Sequence, residues 1–259
     1  MKILIILVQM YGGVGTVVTN IESEFKRLGH SVEIISRENL LGNALGDGKS
    51  ISGYLKLRKE VKKREYDILY TQDWSCALPL LGLKNHYCCF HGHNLGYGKY
   101  IQSLIGKLMN KKLFVVGNSL KKRFPNSTLA YNGVNTKEFF NLNKERKYIG
   151  YISTTVTNET IQVANELKER YGLEISIAKD IPYNKMNEWY NSLKYFVCLP
   201  LKEAGFVLAW LEAKASNVPN IIGNEHGVGI SNVQSSWKEM NWENTVKILL
   251  ERWKNDKKK

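Results

Sequence analysis

The sequence predicts an α/β protein with two Rossmann-like lobes, a cleft between them and an amphipathic C-terminal helix. Strand-like apolar runs alternate with amphipathic helical patterns along the chain, which is typical of parallel sheets with helices on both faces. A polar stretch over 143–147 interrupts the alternation, and a length of 259 residues suits two modest domains. We expect an N-terminal lobe over 1–143, a C-terminal lobe over 144–235, and a terminal helix with a lysine-rich tail over 236–259 that packs back on the first lobe.

The first lobe begins with an apolar run over 3–8, the length of a strand buried on both faces. Apolar residues from Val17 to Leu28 then recur at helical spacing and stop at Gly29. The same reasoning predicts strands at 32–35, 67–71, 87–90 and 113–116 and helices at 53–64, 75–83, 100–109 and 119–124.

The second lobe repeats the alternation. Strands are predicted at 148–152, 174–178, 195–199 and 220–222, and helices at 159–171, 183–193, 205–216 and 237–253. Because ligands of parallel α/β sheets bind beyond the carboxyl ends of the strands, we expect the active site at those ends, in the cleft between the lobes.

Composition narrows the function classes. With 37 Lys and Arg against 24 Asp and Glu, the formal charge is +13, which attracts nucleic acid, anionic lipid or phosphorylated substrates. No apolar stretch approaches the roughly 18–20 residues of a membrane-spanning helix. The four cysteines lack C-x-x-C spacing, so neither zinc nor a disulfide framework is predicted. Since no signal-peptide cleavage pattern follows the first apolar run, we expect a cytoplasmic location.

Glycines mark the first candidate ligand site. Gly12, Gly13 and Gly15 lie between the first strand and the first helix, where the backbone can turn tightly and the helix N-terminus attracts an anion. The third small residue of the dinucleotide fingerprint is absent, because Val18 stands at its position. The alternative is a purely structural turn.

Histidines mark the second candidate ligand site. His91 and His93 follow the predicted strand at 87–90, where an imidazole can bind a polar ligand or handle a proton. A metal would need a third ligand, which the neighbouring sequence does not offer. The alternative is a loop histidine capped by backbone groups.

Acidic residues mark the third candidate ligand site. Glu203 lies in the loop after the strand at 195–199, and Glu212 lies about two turns into the helix predicted from Gly205. Amides at such a helix start can hold a diphosphate, and carboxylates nearby accept hydrogen bonds from sugar hydroxyls. The alternative is a capping acid and a glutamate that faces solvent.

Taken in chain order, these segments resemble glycosyltransferase family 4. The resemblance includes Val116-Gly117-Asn118-Ser119 and, more specifically, Asn-Gly-Val-Asn-x-x-x-Phe at 132–139 and Leu-Glu-Ala-x-Ala-x-x-x-Pro at 211–219. It implies the GT-B fold, with an acceptor lobe followed by a donor lobe. It also implies transfer of a sugar from a nucleotide-diphosphate sugar to a glycan, lipid-linked or other acceptor, with retention of configuration and without a metal or cofactor.

The resemblance also implies roles for individual residues. Gly12 and Gly13 would lie near the donor phosphates, and His91 would contact the sugar or stabilise developing charge. Glu212 would bind the ribose hydroxyls, and the backbone at Ile181 would hold the base. The diphosphate would be bound by the amides of Gly205 and Phe206.

Two departures separate this chain from the family pattern. In the family's Glu-x7-Glu motif, counting back from Glu212 places Ala204 at the first position, with Glu203 one residue early as its potential replacement. The family's Gly-Arg pair corresponds to Gly150 followed by Tyr151, so we expect phosphate binding either to be weaker or to use another cation, for instance Lys202. The chain is also shorter than many two-lobe relatives.

Two basic helices suggest a membrane surface as partner. The helix over 53–64 either binds anionic lipid or packs its apolar stripe on the sheet with its basic residues in solvent, and both alternatives are open. For the segment over 100–112, we expect the apolar stripe to pack on the sheet. Alternatives to a transferase are a non-catalytic scaffold or sugar-nucleotide binder and, from charge alone, a nucleic-acid-binding protein, although an aromatic-basic binding motif is lacking. The cations of the first helix are Lys56, Arg58, Lys59, Lys62, Lys63 and Arg64.

Overall fold

The protein is described by a computed structural model over residues 1–42, 51–94 and 96–257. The chain divides into two compact units, the first formed by Met1–Tyr131 and Trp242–Lys259 and the second by Asn132–Asn241. The expected boundaries at 143 and 235 both fall inside the second unit. The reason at 143 is that side chains of the second unit hold the preceding segment, since Asn187 Oδ1 accepts from Phe140 N (3.1 Å) and Asn191 Oδ1 from Leu142 N (2.7 Å).

The first unit is built on a parallel sheet of six strands in the order β2-β1-β3-β4-β5-β6. Its strands are β1 (Lys2–Leu7), β2 (Ser31–Ser36), β3 (Ile68–Gln72), β4 (His86–Phe90), β5 (Leu113–Val115) and β6 (Thr128–Leu129). Its helices are α1 (Gly12–Arg27), α2 (Arg37–Leu41), α3 (Ile51–Lys62), α4 (Trp74–Ala77), α5 (Tyr97–Met109) and α6 (Asn118–Arg123), with the C-terminal helix α11 (Trp242–Lys257) added.

The second unit is built on a parallel sheet of four strands in the order β10-β9-β7-β8. Its strands are β7 (Tyr148–Ile152), β8 (Glu174–Ala178), β9 (Leu193–Val197) and β10 (Asn220–Ile222). Its helices are α7 (Asn158–Tyr171), α8 (Met186–Ser192), α9 (Leu208–Ala215) and α10 (Ile230–Ser236). The fold class is therefore confirmed: two parallel α/β sheets of Rossmann type.

Several predicted elements differ in detail. The helix predicted over 75–83 is one turn of α4 followed by a 3-10 turn over Leu78–Leu80, because Pro79 lacks an amide to continue the α-helical hydrogen bonds. The helix predicted from 205 begins at Leu208, since the backbone of Val207 is extended. The short elements α2, β6 and α10 were not predicted.

The C-terminal helix packs on the first unit through an aromatic cluster. Trp253 is fully buried, stacks on Phe25 of α1 with ring centroids 5.4 Å apart, and meets Tyr70 of β3 edge-on at 5.6 Å. This helix begins at Trp242 rather than at the predicted 237, because α10 and a turn precede it. The last two lysines of the predicted tail lie outside the described residues.

Candidate functional site

The glycine turn in the first unit joins the carboxyl end of β1 to α1. Gly12 has φ +75°, a backbone conformation that favours glycine, and no side chain caps the N-terminus of α1. A Cβ on Gly15 would lie 2.1 Å from the carbonyl oxygen of Met10, whereas a Cβ on Gly13 would meet open space. Gly15 is thus required for chain packing, while Gly12 and Gly13 are exposed at a helix start suited to an anion.

His91 stands at the carboxyl end of β4, beside the end of β3. Its Nε2 lies 2.7 Å from Oε1 of Gln72, the last residue of β3. Because a carbonyl oxygen only accepts, this contact places the proton on Nε2 and leaves Nδ1 as an acceptor. Desolvation lowers the pKa of His91 to about 4, so the ring is neutral at pH 7. Neutral His91 can accept a hydrogen bond from a hydroxyl group.

The loop after His91 is held by a buried glutamine. Gln102 of α5 donates from Nε2 to the Gly92 carbonyl (2.7 Å), and its Oε1 accepts from Asn94 N (3.3 Å) and from Arg123 Nη1 (2.9 Å). His93 Nε2 lies 3.1 Å from Ser119 Oγ. His93 is therefore part of the network that fixes the loop, and His91 is the histidine at the strand end whose second nitrogen remains an acceptor.

In the second unit, the loops after β9 and β10 approach each other closely. A Cβ on Gly227, which has φ +64°, would lie 2.6 Å from the carbonyl oxygen of Ala204 and 3.0 Å from that of Gly205. Asn224 Nδ2 also donates to the Pro200 carbonyl (3.0 Å). The loop after β9 is thus shaped by the glycine-containing loop after β10.

The predicted diphosphate residues lie on this loop after β9. Lys202 is exposed, Glu203 and Phe206 are half-buried and Gly205 is buried. The expectation that Gly205 and Phe206 form the start of the helix was wrong, because α9 begins only at Leu208. Their amides belong to the loop that leads into the helix.

Glu212 is buried in α9 and carries hydrogen bonds from two tyrosines. Tyr190 donates to Oε2 (2.9 Å) and Tyr183 to Oε1 (3.3 Å). Burial, opposed by these hydrogen bonds, raises the pKa of Glu212 to about 7. Neither the capping role nor the solvent-facing position considered from the sequence describes this carboxyl group. A buried carboxyl with a strongly perturbed pKa is typical of a functional site.

Tyr183 connects Glu212 to the loop after β8. Ile181, predicted beside the base, is half-buried in the same loop, two residues before Tyr183. The Phe139 ring meets Tyr183 edge-on at 5.5 Å and Tyr190 at 6.0 Å, which holds both hydroxyls near the carboxyl group. The structure thus brings Ile181 and Glu212 to neighbouring segments of one unit.

The residues aligned with the family's Gly-Arg pair are not in a loop. Gly150 and Tyr151 both lie inside β7, and a Cβ on Gly150 would lie 2.5 Å from the Leu193 side chain. Gly150 is therefore a packing glycine. The segment after β7 is Ser153–Thr155, which carries hydroxyl groups instead of a cation.

The cations of α3 are only partly available to a partner. Arg58 donates to the carbonyls of Pro79 (2.7 Å) and Leu81 (3.0 Å), Lys63 pairs with Glu60 (2.6 Å), and Arg64 pairs with Glu33 (3.3 Å). Of the six cations, the three that are exposed without an ion pair among the described residues are Lys56, Lys59 and Lys62.

No family model and no curated protein sequence matches this chain. Solved glycosyltransferase structures nevertheless share its fold. AviGT4, involved in avilamycin A biosynthesis, has a TM-score of 0.67 at 10% identity, over 98% of this chain and 97% of its own. Sucrose-phosphate synthase from Thermosynechococcus elongatus has a TM-score of 0.63 at 12% identity, over 98% and 94%.

A third similar structure was solved with a ligand. HepE from Anabaena, in complex with UDP-glucose, has a TM-score of 0.60 at 11% identity and covers 100% of both chains. At these identities the similarity defines the fold, which is that of two-lobed GT-B glycosyltransferases.

Four positioning features were missed in the sequence. Gln72 beside His91, Gln102 behind the loop, the tyrosine pair on Glu212 and Gly227 under Ala204 depend on contacts between segments distant in the chain. One signal was available for Gln72, because the polar run Thr71-Gln72-Asp73 ends an apolar strand next to the one that precedes His91.

Proposed function

We propose that this protein is a glycosyltransferase that uses a nucleotide-diphosphate sugar as donor. The observation that carries the proposal is the full-length match of its fold to HepE, whose structure contains UDP-glucose. The buried Glu212 carboxyl of α9, which accepts a hydrogen bond from Tyr190 and has a raised pKa, supports it from within the chain.

The second unit binds the donor in this proposal. Glu212 accepts hydrogen bonds from the ribose hydroxyls in exchange for the longer of its two bonds, that from Tyr183, while Tyr190 keeps the carboxyl in place. The backbone at Ile181 holds the base. Amides of the loop at Gly205 and Phe206, with the exposed Lys202, stabilise the leaving diphosphate electrostatically.

The first unit supplies His91 and the turn at Gly12 and Gly13. With its proton on Nε2, His91 accepts a hydrogen bond from a sugar hydroxyl at Nδ1 and stays uncharged at neutral pH. Gly12 and Gly13 lie close to the donor phosphates. Glu203 takes over the sugar contact that the family assigns to the position of Ala204.

The finer features follow from the family resemblance. Transfer occurs with retention, as in glycosyltransferase family 4, and without a bound metal or cofactor. The acceptor is a glycan or a lipid-linked sugar, and the protein acts in the cytoplasm, peripherally on the inner face of a membrane. No helix in the described part of the chain is long and apolar enough to cross a bilayer.

A second candidate function is a non-catalytic binder of sugar nucleotides. Two observations favour it: Ala204 replaces the first acid of the motif, and both Glu212 oxygens already accept hydrogen bonds within the unit. Turnover separates the two candidates.

The test is a thermal-shift screen with nucleotide-diphosphate sugars, followed by measurement of nucleoside diphosphate release. A donor at about 100 times its dissociation constant stabilises the protein by roughly 2.7 kcal/mol. Both the shift and the release should be lost in Glu212→Ala and kept in Glu166→Ala, a matched change on the exposed face of α7. A shift without release supports the non-catalytic candidate, and no shift with any donor refutes both.

A further inference from the structure

Helix α5 exposes a continuous apolar face. Its inward side buries Gln102, Ile105 and Met109 against the first unit. On its other side, four large apolar side chains follow the i, i+3, i+4 spacing of one helical face. They are Tyr97 (89% exposed), Tyr100 (74%), Leu104 (56%) and Leu108 (60%).

The expectation that the apolar stripe of this helix packs on the sheet was therefore only half right. Ile105 packs inward, but Tyr100, Leu104 and Leu108 face outward. Single exposed apolar residues are common on protein surfaces, whereas a contiguous row indicates a contact with a partner or a membrane.

The charge around this face indicates which partner it fits. Between Asp73 and Glu138 the sequence contains nine Lys and Arg residues and no Asp or Glu. Lys99, Lys107 and Lys111 are exposed on α5 and the turn that follows it. An exposed apolar row on a helix whose own charged residues are all lysines is the pattern of a helix that lies in the interface of an anionic membrane.

Helix α3 is the weaker candidate for the same contact. Its exposed apolar residues are two, Ile51 and Leu55. Its acidic residue Glu60 pairs with Lys63, and Arg58 is turned towards backbone carbonyls. The basic residues singled out from the sequence thus form the less suitable surface.

We propose that the outward face of α5 inserts into an anionic lipid surface, with Tyr97, Tyr100, Leu104 and Leu108 in the headgroup region and the lysines on the lipid phosphates. The membrane contact would give access to a lipid-linked acceptor, and this purpose rests on the proposed function. The choice of α5 as the contact surface rests on the exposure and charge of this helix alone.

The experiment measures co-sedimentation of the full chain with vesicles of phosphatidylcholine alone or of phosphatidylcholine with an equal amount of phosphatidylglycerol, whose negative surface potential attracts exposed lysines. Binding should require the anionic lipid and weaken with salt. Leu108→Ser should reduce partitioning about tenfold, because an apolar side chain of this size no longer enters the membrane.

The matched control is Leu55→Ser on α3, since Leu55 (63% exposed) and Leu108 (60%) are equally accessible. That variant should bind within about twofold of wild type. Replacing Lys107 and Lys111 by Gln should reduce partitioning about 25-fold, at roughly fivefold per lysine, and replacing Lys59 and Lys62 should have the smaller effect. Circular dichroism melts check that each variant folds.

A spectroscopic readout locates the contact. All four cysteines are buried, so Leu108→Cys and Leu55→Cys can be labelled selectively with an environment-sensitive fluorophore. Anionic vesicles should shift the emission to the blue at position 108 and leave it unchanged at 55.

Three results would overturn the inference. The first is equal binding to both vesicle types, and the second is a loss of vesicle binding in the α3 variants that equals or exceeds the loss in the α5 variants. The third is a dimer that forms without lipid, is detected by sedimentation and is abolished by Leu108→Ser, because the face would then be a contact between copies of the chain. Vesicle binding is independent of catalysis. Failure of nucleotide-sugar turnover alongside normal lipid binding would therefore refute the proposed function and leave the assignment of α5 intact.

Discussion

The Tyr190 hydroxyl donates a 2.9 Å hydrogen bond to the Glu212 carboxyl group inside the second unit. Both side chains are buried, and Tyr183 adds a longer bond of 3.3 Å to the other oxygen. The surroundings satisfy the carboxyl by hydrogen bonding and yet disfavour its charge, because burial raises its pKa to about 7. The protonation state of Glu212 should therefore affect both the stability of the fold and the binding of the donor.

Replacing Glu212 by Gln should change the pH dependence of stability. Because the folded-state pKa is about 7 and the ordinary value is 4.5, the stabilisation from protonated Glu212 is full below pH 4.5 and is lost as the pH rises through 7. Relative to wild type, Glu212→Gln should gain about 3 kcal/mol of unfolding free energy between pH 4 and 8, at roughly 1.4 kcal/mol per pH unit. Urea denaturation at several pH values measures this, and a wild-type slope in the variant, as expected for Glu166→Gln, would contradict it.

Donor binding should release a proton near neutral pH. Ribose hydroxyls that donate to Glu212 favour its ionised form, so donor affinity should fall about tenfold per pH unit below the pKa of about 7 and level off above it. Calorimetric titration in two buffers of different ionisation enthalpy counts the protons released. Glu212→Gln should show weak binding with no such release. Proton-independent binding by the wild type would show that Glu212 does not bind the ribose.

Gln72 should act on turnover through His91. Gln72→Leu removes the acceptor of the Nε2 proton, so the ring can turn or change tautomer, and kcat should fall about tenfold while the donor KM changes little. In Gln72→Glu the acceptor remains but its charge should raise the pKa of His91 from about 4 towards the ordinary value, which NMR titration of the ring reports. An unchanged His91 titration in Gln72→Glu, or an unchanged kcat in Gln72→Leu, would show that Gln72 does not position His91.

Gly15 and Gly13 should respond differently to alanine. The new Cβ at position 15 would lie 2.1 Å from the Met10 carbonyl oxygen, and the turn into α1 must move, at a cost of about 2 kcal/mol or more. At position 13 the space is open, and alanine should be neutral or stabilise by about 0.5–1 kcal/mol because it favours the helix. Thermal unfolding of the two variants compares them. Similar melting temperatures would mean that Gly15 does not set the turn.

The fold was predictable because its signal is periodic and local. The buried run of β1 and the apolar spacing of α1 identify those elements without knowledge of their neighbours. Boundaries were less predictable where a distant residue decides them. Asn191, far along the chain from Leu142, binds the segment that was expected to be a linker.

The candidate site was predictable in its residue types and less so in its environment. Glu212 stood out through a sequence motif, but its burial depends on Tyr183, Tyr190 and Phe139, which only the folded unit places around it. The helix start was misplaced because the apolar residues before Leu208 fit a helical pattern while the backbone of Val207 is extended.

A glycosyltransferase must turn over a nucleotide-diphosphate sugar. The most direct measurement is release of nucleoside diphosphate from a panel of such donors, with wild type, Glu212→Ala and Glu166→Ala at equal concentration. We expect release from at least one donor by wild type and Glu166→Ala and none above background by Glu212→Ala. No release from any donor by the folded wild type, or equal release by Glu212→Ala, would contradict it.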